Sequence, residues 1–407
     1  MSDPARPKGQ SARFFVLYAL ALAGGTIAYV PFIAILLPMQ VAGLAGEEAG
    51  ITWLAYLTFA GAVTASLAGI GAGWLSDRMK TRRPLVLAGL AASSLTLVTF
   101  VWAETFITLL GLLVLWQIGL NLMLAPLMAW AGDCVPDHQK GQLGGWMALA
   151  PVAGALATTL ITLPGMASPA ERLWWVAGMA AVLVAPGVLL AMPRPVPELH
   201  SPAPLQTNGL ATLAASFRSP ALARMWAARL LMQLAQAALF AFLYFWLRSL
   251  DEGFAEDSIA QVYSAVLIAS LPITLAAGRW SDHTAQPLAP LPVLAVIASA
   301  GLAVMALASS PLWAIAGYAV FALAAAVFLA LHSAQTLRVL PDPTRRAEHL
   351  GWFNLTNTAP ALIMPWLTLA VEPAFGFAGL FAILGASALA AAGLLAGISR
   401  HAAPEMP

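Results

Sequence analysis

The chain is a succession of apolar runs about twenty residues long, cut only by short polar breaks. A helical run of that length, rising 1.5 Å per residue, matches the hydrocarbon core of a bilayer. Lipid offers backbone groups no partners, so each run must close its hydrogen bonds internally as a helix. The charge content agrees. Only 9% of the residues are Asp, Glu, Lys or Arg and 60% are hydrophobic, whereas a soluble domain carries about 25% charge. A water-soluble fold of 407 residues could not bury so much apolar surface.

Twelve runs are separable, at about 13–37, 49–75, 84–103, 105–131, 141–163, 171–192, 222–250, 257–279, 290–308, 311–337, 349–371 and 374–399. The first exceeds the 7–15 residues of a cleavable signal core and reads as a retained helix. The breaks at Glu104 and at Ser309-Ser310-Pro311 are so short that they predict antiparallel hairpins. With both termini cytoplasmic, 17 of the 19 Lys and Arg residues fall inside and only Arg172 and Arg248 outside. That bias sets orientation. The expectation is a multi-pass protein of the inner (cytoplasmic) membrane, embedded in lipid and functional as a monomer. A net charge of +1 excludes an electrostatic nucleic-acid binder. The single cysteine, Cys134, excludes a disulfide framework and a multi-cysteine metal site. No cofactor or metal is expected.

The midpoint is marked by Pro193-Arg-Pro-Val-Pro-Glu-Leu-His200-Ser-Pro-Ala-Pro204, a density of proline that blocks helix and favours an extended linker. It predicts an N-terminal six-helix half (1–192), a cytoplasmic linker (193–221) and a C-terminal six-helix half (222–407). The halves echo each other at an offset of 205: Gly73, Ser76 and Asp77 match Gly278, Ser281 and Asp282, and Val135-Pro136-Asp137 matches Leu340-Pro341-Asp342. One residue out of step, Gly145-Trp146 matches Gly351-Trp352. The fold class is therefore all-α and polytopic, with twelve transmembrane helices in two six-helix halves related by an internal repeat. Two such halves suit a solute site at the repeat interface near the midplane.

Gly73-Trp-Leu-Ser-Asp77-Arg78-Met-Lys-Thr-Arg82-Arg83 resembles the signature loop of the major facilitator superfamily, Gly-x-Leu-Ala/Ser-Asp-Arg-x-Gly-Arg-Arg. Lys80 stands where the family has glycine, and Gly278-Arg-Trp-Ser-Asp-His283 looks like the degenerate second copy. The resemblance implies a gating latch. Asp77 would face the helix beginning near His349-Leu-Gly351, and Arg78, with Arg82 as the alternative, would pair with Asp133. These contacts would hold the halves together when the cavity opens outward and break when it opens inward. The alternative is ordinary positive-inside residues without specific pairing.

All 18 carboxylates lie near span ends or in loops, so the buried acid on which many cation-coupled sugar symporters rely is missing. His332 is the one histidine inside a predicted span, with Gln335 on the same face. It either carries a coupling proton or is a neutral, hydrogen-bonded bundle residue. Arg229 lies roughly 10 Å into span seven, on a face continued by Gln233, Gln236 and Tyr244. It either grips an anionic group of a solute or snorkels to the headgroups. Gln117 and Asn121 share a face of span four, Asn354 and Asn357 one of span eleven, and Tyr29 adds a hydroxyl on span one. The resemblance places spans one, four, seven and ten around the cavity. Uncharged amides there suit a polar solute such as a sugar or glycoside; the alternative is interhelical hydrogen bonding.

Two weaker likenesses point in different directions. The Asp133…Pro136-Asp137…Gly141…Trp146 stretch is similar to glycoside–pentoside–hexuronide and sucrose-type symporters. Ala150-Pro151-Val-Ala-Gly154-Ala155 resembles the span-five element of superfamily antiporters, or is a close-packing kink. The expected function is a secondary transporter moving a small organic molecule by alternating access, with proton-coupled uptake first and proton-coupled efflux of drugs or metabolites second. A non-transporting sensor or assembly factor on the same scaffold is a third possibility. An enzyme is not expected, because no clustered metal ligands or activated nucleophile are present.

Overall fold

The computed structural model describes residues 9–79, 81–136, 139–147, 149–194, 220–251, 256–282, 288–339 and 346–399. They are helical nearly throughout, with no strand among them. The first unbroken helices are α1 (Ala12–Gly46), α2 (Ala49–Met79), α3 (Arg83–Trp102) and α4 (Phe106–Cys134), the membrane-crossing part of α4 ending at Ala131. Next come α5, in two pieces (Lys140–Met147 and Leu149–Thr162), and α6 (Pro169–Leu190). The second half contributes α7 (Pro220–Leu250), α8 (Glu256–Asp282), α9 (Pro290–Ala306) and α10 (Pro311–Val339). A last run, Arg346–Ser399, breaks at Gly376 into α11 (346–375) and α12 (377–399). Twelve helices result among the described residues, as the apolar runs require.

The breaks have local causes. Gly46 (φ 75°) between α1 and α2 and Gly376 (φ 61°) between α11 and α12 adopt left-handed backbone that only glycine takes without strain. Within α1, Pro31 offers no amide, and the next turn widens to a π-helix over Phe32–Leu36. Thr105 and Ser168 start α4 and α6 by accepting from the amides of Thr108 and Glu171.

The helices pack as two compact units, one of Met1–Leu44 with Ala60–Pro204 and one of Ala45–Phe59 with Leu205–Pro407. Residues 195–219, most of the expected linker, lie outside the described residues. In the second unit the rings of Tyr56 and Phe59 meet Trp366 at 5.9 and 5.1 Å. Large apolar side chains such as Leu67, Ile70, Leu95, Ile107, Val182 and Leu307 are exposed. In water such a surface would aggregate; in lipid it is solvated. Trp102, Trp174, Trp175 and Trp313 are exposed near helix ends, as interfacial anchors are. The deeper Trp116 and Trp246 are buried against Phe32 and Phe381.

Lipid supplies no hydrophobic force between helices, so close backbone approach matters. Each unit has a glycine-lined hairpin. In the first, a Cβ at Gly89 of α3 would land on the backbone of α4, on the Met123 amide and 2.6 Å from the Leu122 carbonyl carbon. A Cβ at Gly119 would lie 2.8 Å from the Ser93 amide nitrogen. In the second, Gly301 of α9 and Gly317 of α10 face each other's carbonyl oxygens at 2.8 and 2.9 Å from such a Cβ. Thus the third and fourth helices of each unit lock together in the same manner. At the ends of α2 and α8 the repeated Gly-x-x-Ser-Asp elements occupy equivalent places, closing one helix at Met79 and the other at Asp282.

Candidate functional site

Two polar assemblies stand out, one in each unit. The first is built where α2 runs out. Arg82 follows the helix end and folds back over it: Nη1 donates to Asp77 Oδ1 at 2.6 Å and to Ser76 Oγ at 2.7 Å, and Nε donates to Asp133 Oδ2 at 2.8 Å. One guanidinium thereby ties the end of α2 to the end of α4. Burial works to lower the Arg82 pKa, but the hydrogen bonds and charges of Asp133 and Asp77 outweigh it and hold the group above its ordinary value.

This geometry corrects the expected partner of Asp133. Arg78 does not take that role; its guanidinium lies 5.5 Å from the ring centroid of Trp74. The reason is helical phase. Asp77 and Arg78 are adjacent residues on a helix that continues to Met79, so their side chains diverge by about 100°. Trp74, four residues back, shares the face of Arg78. Only a cation beyond the helix end can return to both acids. The stretch His349-Leu-Gly351, expected opposite Asp77, has side chains outside the described residues.

Other straps surround this corner. Arg83 donates from Nη2 to the Ala191 carbonyl and lies 5.5 Å from the Trp130 ring centroid. Gln10 donates from Nε2 to the carbonyls of Cys134 (2.6 Å) and Arg194 (2.9 Å), and its Oε1 accepts from the Arg194 amide at 2.8 Å. Ser76 was legible in the repeated Gly-x-x-Ser-Asp element; nothing in the sequence marks Gln10. Cys134 is buried here, and burial first, then the charge of Asp133, pushes its thiol up to about 12. At pH 8 the thiolate is the reactive form, so maleimide should label native Cys134 about a thousandfold more slowly than the denatured chain. Mass spectrometry of labelled protein checks this; equal rates would refute the buried, protonated thiol.

On α4, Asn121 Nδ2 donates to the Gln117 carbonyl at 2.9 Å, with Gln117 Oε1 at 3.4 Å. The pair lies against the glycine face of α2, for a Cβ at Gly61 would meet Gln117 Nε2 and one at Gly69 would meet Asn121 Oδ1, each at 3.4 Å. Tyr29 of α1 is half-buried one turn before the π segment. The Pro151/Gly154 element of α5 is a packing contact, a Cβ at Gly154 falling 3.0 Å from Thr26 Cγ2.

The second assembly joins α7, α10 and α11. Arg229 donates from Nη1 to Ser333 Oγ at 2.7 Å and from Nη2 to Asn357 Oδ1 at 3.3 Å, and Gln233 Nε2 donates to the same Asn357 oxygen. Arg229 is thus tied to two neighbouring helices. Its neighbour His332 is fully buried, with Nε2 3.0 Å from the Met225 carbonyl and Nδ1 3.3 Å from Thr336 Oγ1. A carbonyl can only accept, so Nε2 carries the proton; the Thr336 hydroxyl donates to the His332 carbonyl at 2.8 Å, and Nδ1 lies 3.3 Å from the same oxygen. Gln335 is buried beside it, Gln236 is half-buried outside the cluster, and Tyr244 is buried with the Arg248 guanidinium 5.9 Å from its ring centroid. The side chain of Asn354 lies outside the described residues.

The family model of the Major Facilitator Superfamily matches residues 14–342. The chain belongs to this superfamily of transporters. Solved members share its fold at low identity. The nucleoside transporter NupG superposes with a TM-score of 0.70 at 12% identity, over 95% of this chain and 98% of that one. The human organic anion transporter MFSD10 gives 0.67 at 16%, over 94% and 99%. A bacterial homolog of the human lysosomal transporter Spinster, inward-facing and unoccupied, gives 0.66 at 15%, over 95% and 94%. No curated protein matches the sequence. Superfamily membership makes this chain a multi-pass membrane transporter and not an enzyme.

Proposed function

We propose that the chain is a secondary transporter that moves a small polar organic solute by alternating access, in the cytoplasmic membrane with both termini inside. The observation that carries this is the polar cluster of Arg229, Gln233, Ser333 and Asn357, donated by three helices of a lipid-embedded unit. Polar groups at that depth are costly and are kept for function. The Arg82 network, wholly within the first unit, is the part of the gating latch that fixes the loop after α2 against the end of α4, where a change in either helix must break a charged hydrogen bond. Protonic coupling through His332 does not enter the proposal. Its bond to the Met225 carbonyl anchors α7 four residues before Arg229, the contact of a packing residue.

Counterflow in proteoliposomes, loading one unlabelled solute and following its labelled form, tests the transport reading. The expected result is saturable exchange of at least one polar solute from a panel of sugars, nucleosides, amino acids and organic acids. His332→Gln, which keeps a donor and an acceptor, should retain at least about half of the wild-type rate with or without a pH gradient. A rate that collapses in this variant only when a pH gradient drives uptake would restore histidine as the proton carrier.

A further inference from the structure

We infer that the Arg229 cluster recognises an oxyanion, so that the transported solute carries a carboxylate or a phosphate. The inference rests on the transport reading and names its substrate class. Arg229 sits about 14 Å along α7 from its start, and no carboxylate among the described residues lies within ion-pair distance of it. Its contacts are a hydroxyl and an amide oxygen. Neutral dipoles hold the guanidinium in place but do not cancel its charge, and a cation in the membrane without a counter-ion is a standing cost.

The unused donors point the same way. Nε is buried with no hydrogen-bond partner. Nη2 reaches Asn357 Oδ1, which also accepts from Gln233, only at 3.3 Å, beyond the usual range for an N–H···O bond. The Ser333 hydroxyl donates to the Leu329 carbonyl at 2.7 Å, leaving only its lone pairs for Arg229 and fixing the orientation of Nη1. An arriving carboxylate or phosphate would meet the Nε and Nη2 hydrogens side by side, the forked geometry in which guanidinium binds oxyanions best. Asn357 would then be released to Gln233 alone. The side chains of Ser333 and Asn357 are exposed, so the cluster can be reached. Arg229, Gln233 and Asn357 together form a face too polar for lipid contact.

The test uses purified full-length protein in a neutral maltoside detergent. Thermal unfolding is followed with matched pairs: gluconate and glucose, benzoate and benzamide, glycerol 3-phosphate and glycerol. The expected result is that at least one oxyanion raises Tm while its neutral partner does not. Its apparent affinity should fall about 10- to 100-fold in Arg229→Gln and less in Arg229→Lys, which keeps the charge but loses the fork. Arg229→Gln alone should unfold no earlier than wild type, because it removes a charge that no carboxylate among the described residues compensates. Equal stabilisation by both members of every pair, or oxyanion binding unchanged in Arg229→Gln, would overturn the inference. Repeating the measurement in nanodiscs of phosphatidylcholine, with and without phosphatidylglycerol, separates solute from headgroup: oxyanion binding abolished by the anionic lipid would assign Arg229 to lipid and also overturn it. Oxyanion binding without counterflow of the same compound would uphold the site and refute transport. Counterflow restricted to neutral solutes would do the reverse.

Discussion

Replacing Arg82 by glutamine should reduce transport at least about tenfold, whereas Arg78→Gln should keep most of it. The contrast follows from geometry. Arg82 makes three hydrogen bonds, to Asp133, Ser76 and Asp77, and two of them are ion pairs. Arg78 lies over one exposed tryptophan ring. The stability at stake is small, because the acids are 69% and 49% exposed and exposed pairs contribute about 0–1 kcal/mol each. What Arg82 contributes is position. Glutamine can reach one of the acids but cannot bridge both, so the loop after α2 and the end of α4 would move independently. Transport rate should therefore fall far more than thermal stability. Initial rates in proteoliposomes, set beside Tm for the same preparations, measure both. Equal losses in the two variants, or a loss explained by unfolding, would refute the latch.

That case also shows where the sequence stops being informative. The acids, the cluster of cations and the twelve spans were legible, because hydropathy and charge position act over whole segments. The choice between Arg78 and Arg82 was not. It depends on α2 continuing to Met79, a boundary that a one-residue change would reverse and that sequence patterns place only within a few residues. Arg229 illustrates the complementary limit. Its depth in the span was evident from counting, but the distinction between reaching for headgroups and turning inward required Ser333 and Asn357. Those residues lie more than a hundred positions away in the chain, and no periodicity links them. His332 is similar: its residue type suggested proton chemistry, whereas its neighbours Met225, more than a hundred positions away, and Thr336 became evident only in the packed helices.

Glycine positions in α4 should separate sharply under the same small substitution. Gly111→Ala should be neutral or slightly stabilising, since a Cβ there meets nothing within 4 Å and alanine is favoured over glycine in a helix by about 1 kcal/mol. Gly119→Ala, two turns further along, places a methyl 2.8 Å from the Ser93 amide nitrogen and 3.1 Å from the Ala92 carbonyl carbon. Both are backbone atoms of α3, so no rotamer change relieves the clash; the two helices must separate. The propensity gain of about 1 kcal/mol is then opposed by overpacking, typically about 1–3 kcal/mol, and by loss of dispersion contacts along the hairpin. A net loss of about 1–2 kcal/mol is expected, and Gly119→Leu should not fold. The second unit offers an independent repeat: Gly317→Ala should be destabilised through Gly301 and Met305, and Gly393→Ala, with open space around it, should not. Thermal unfolding of the four alanine variants in one detergent gives the comparison. If Gly119 and Gly317 tolerated alanine as well as Gly111 and Gly393, the hairpins would be held by side-chain packing, and backbone approach would not be what the glycines preserve.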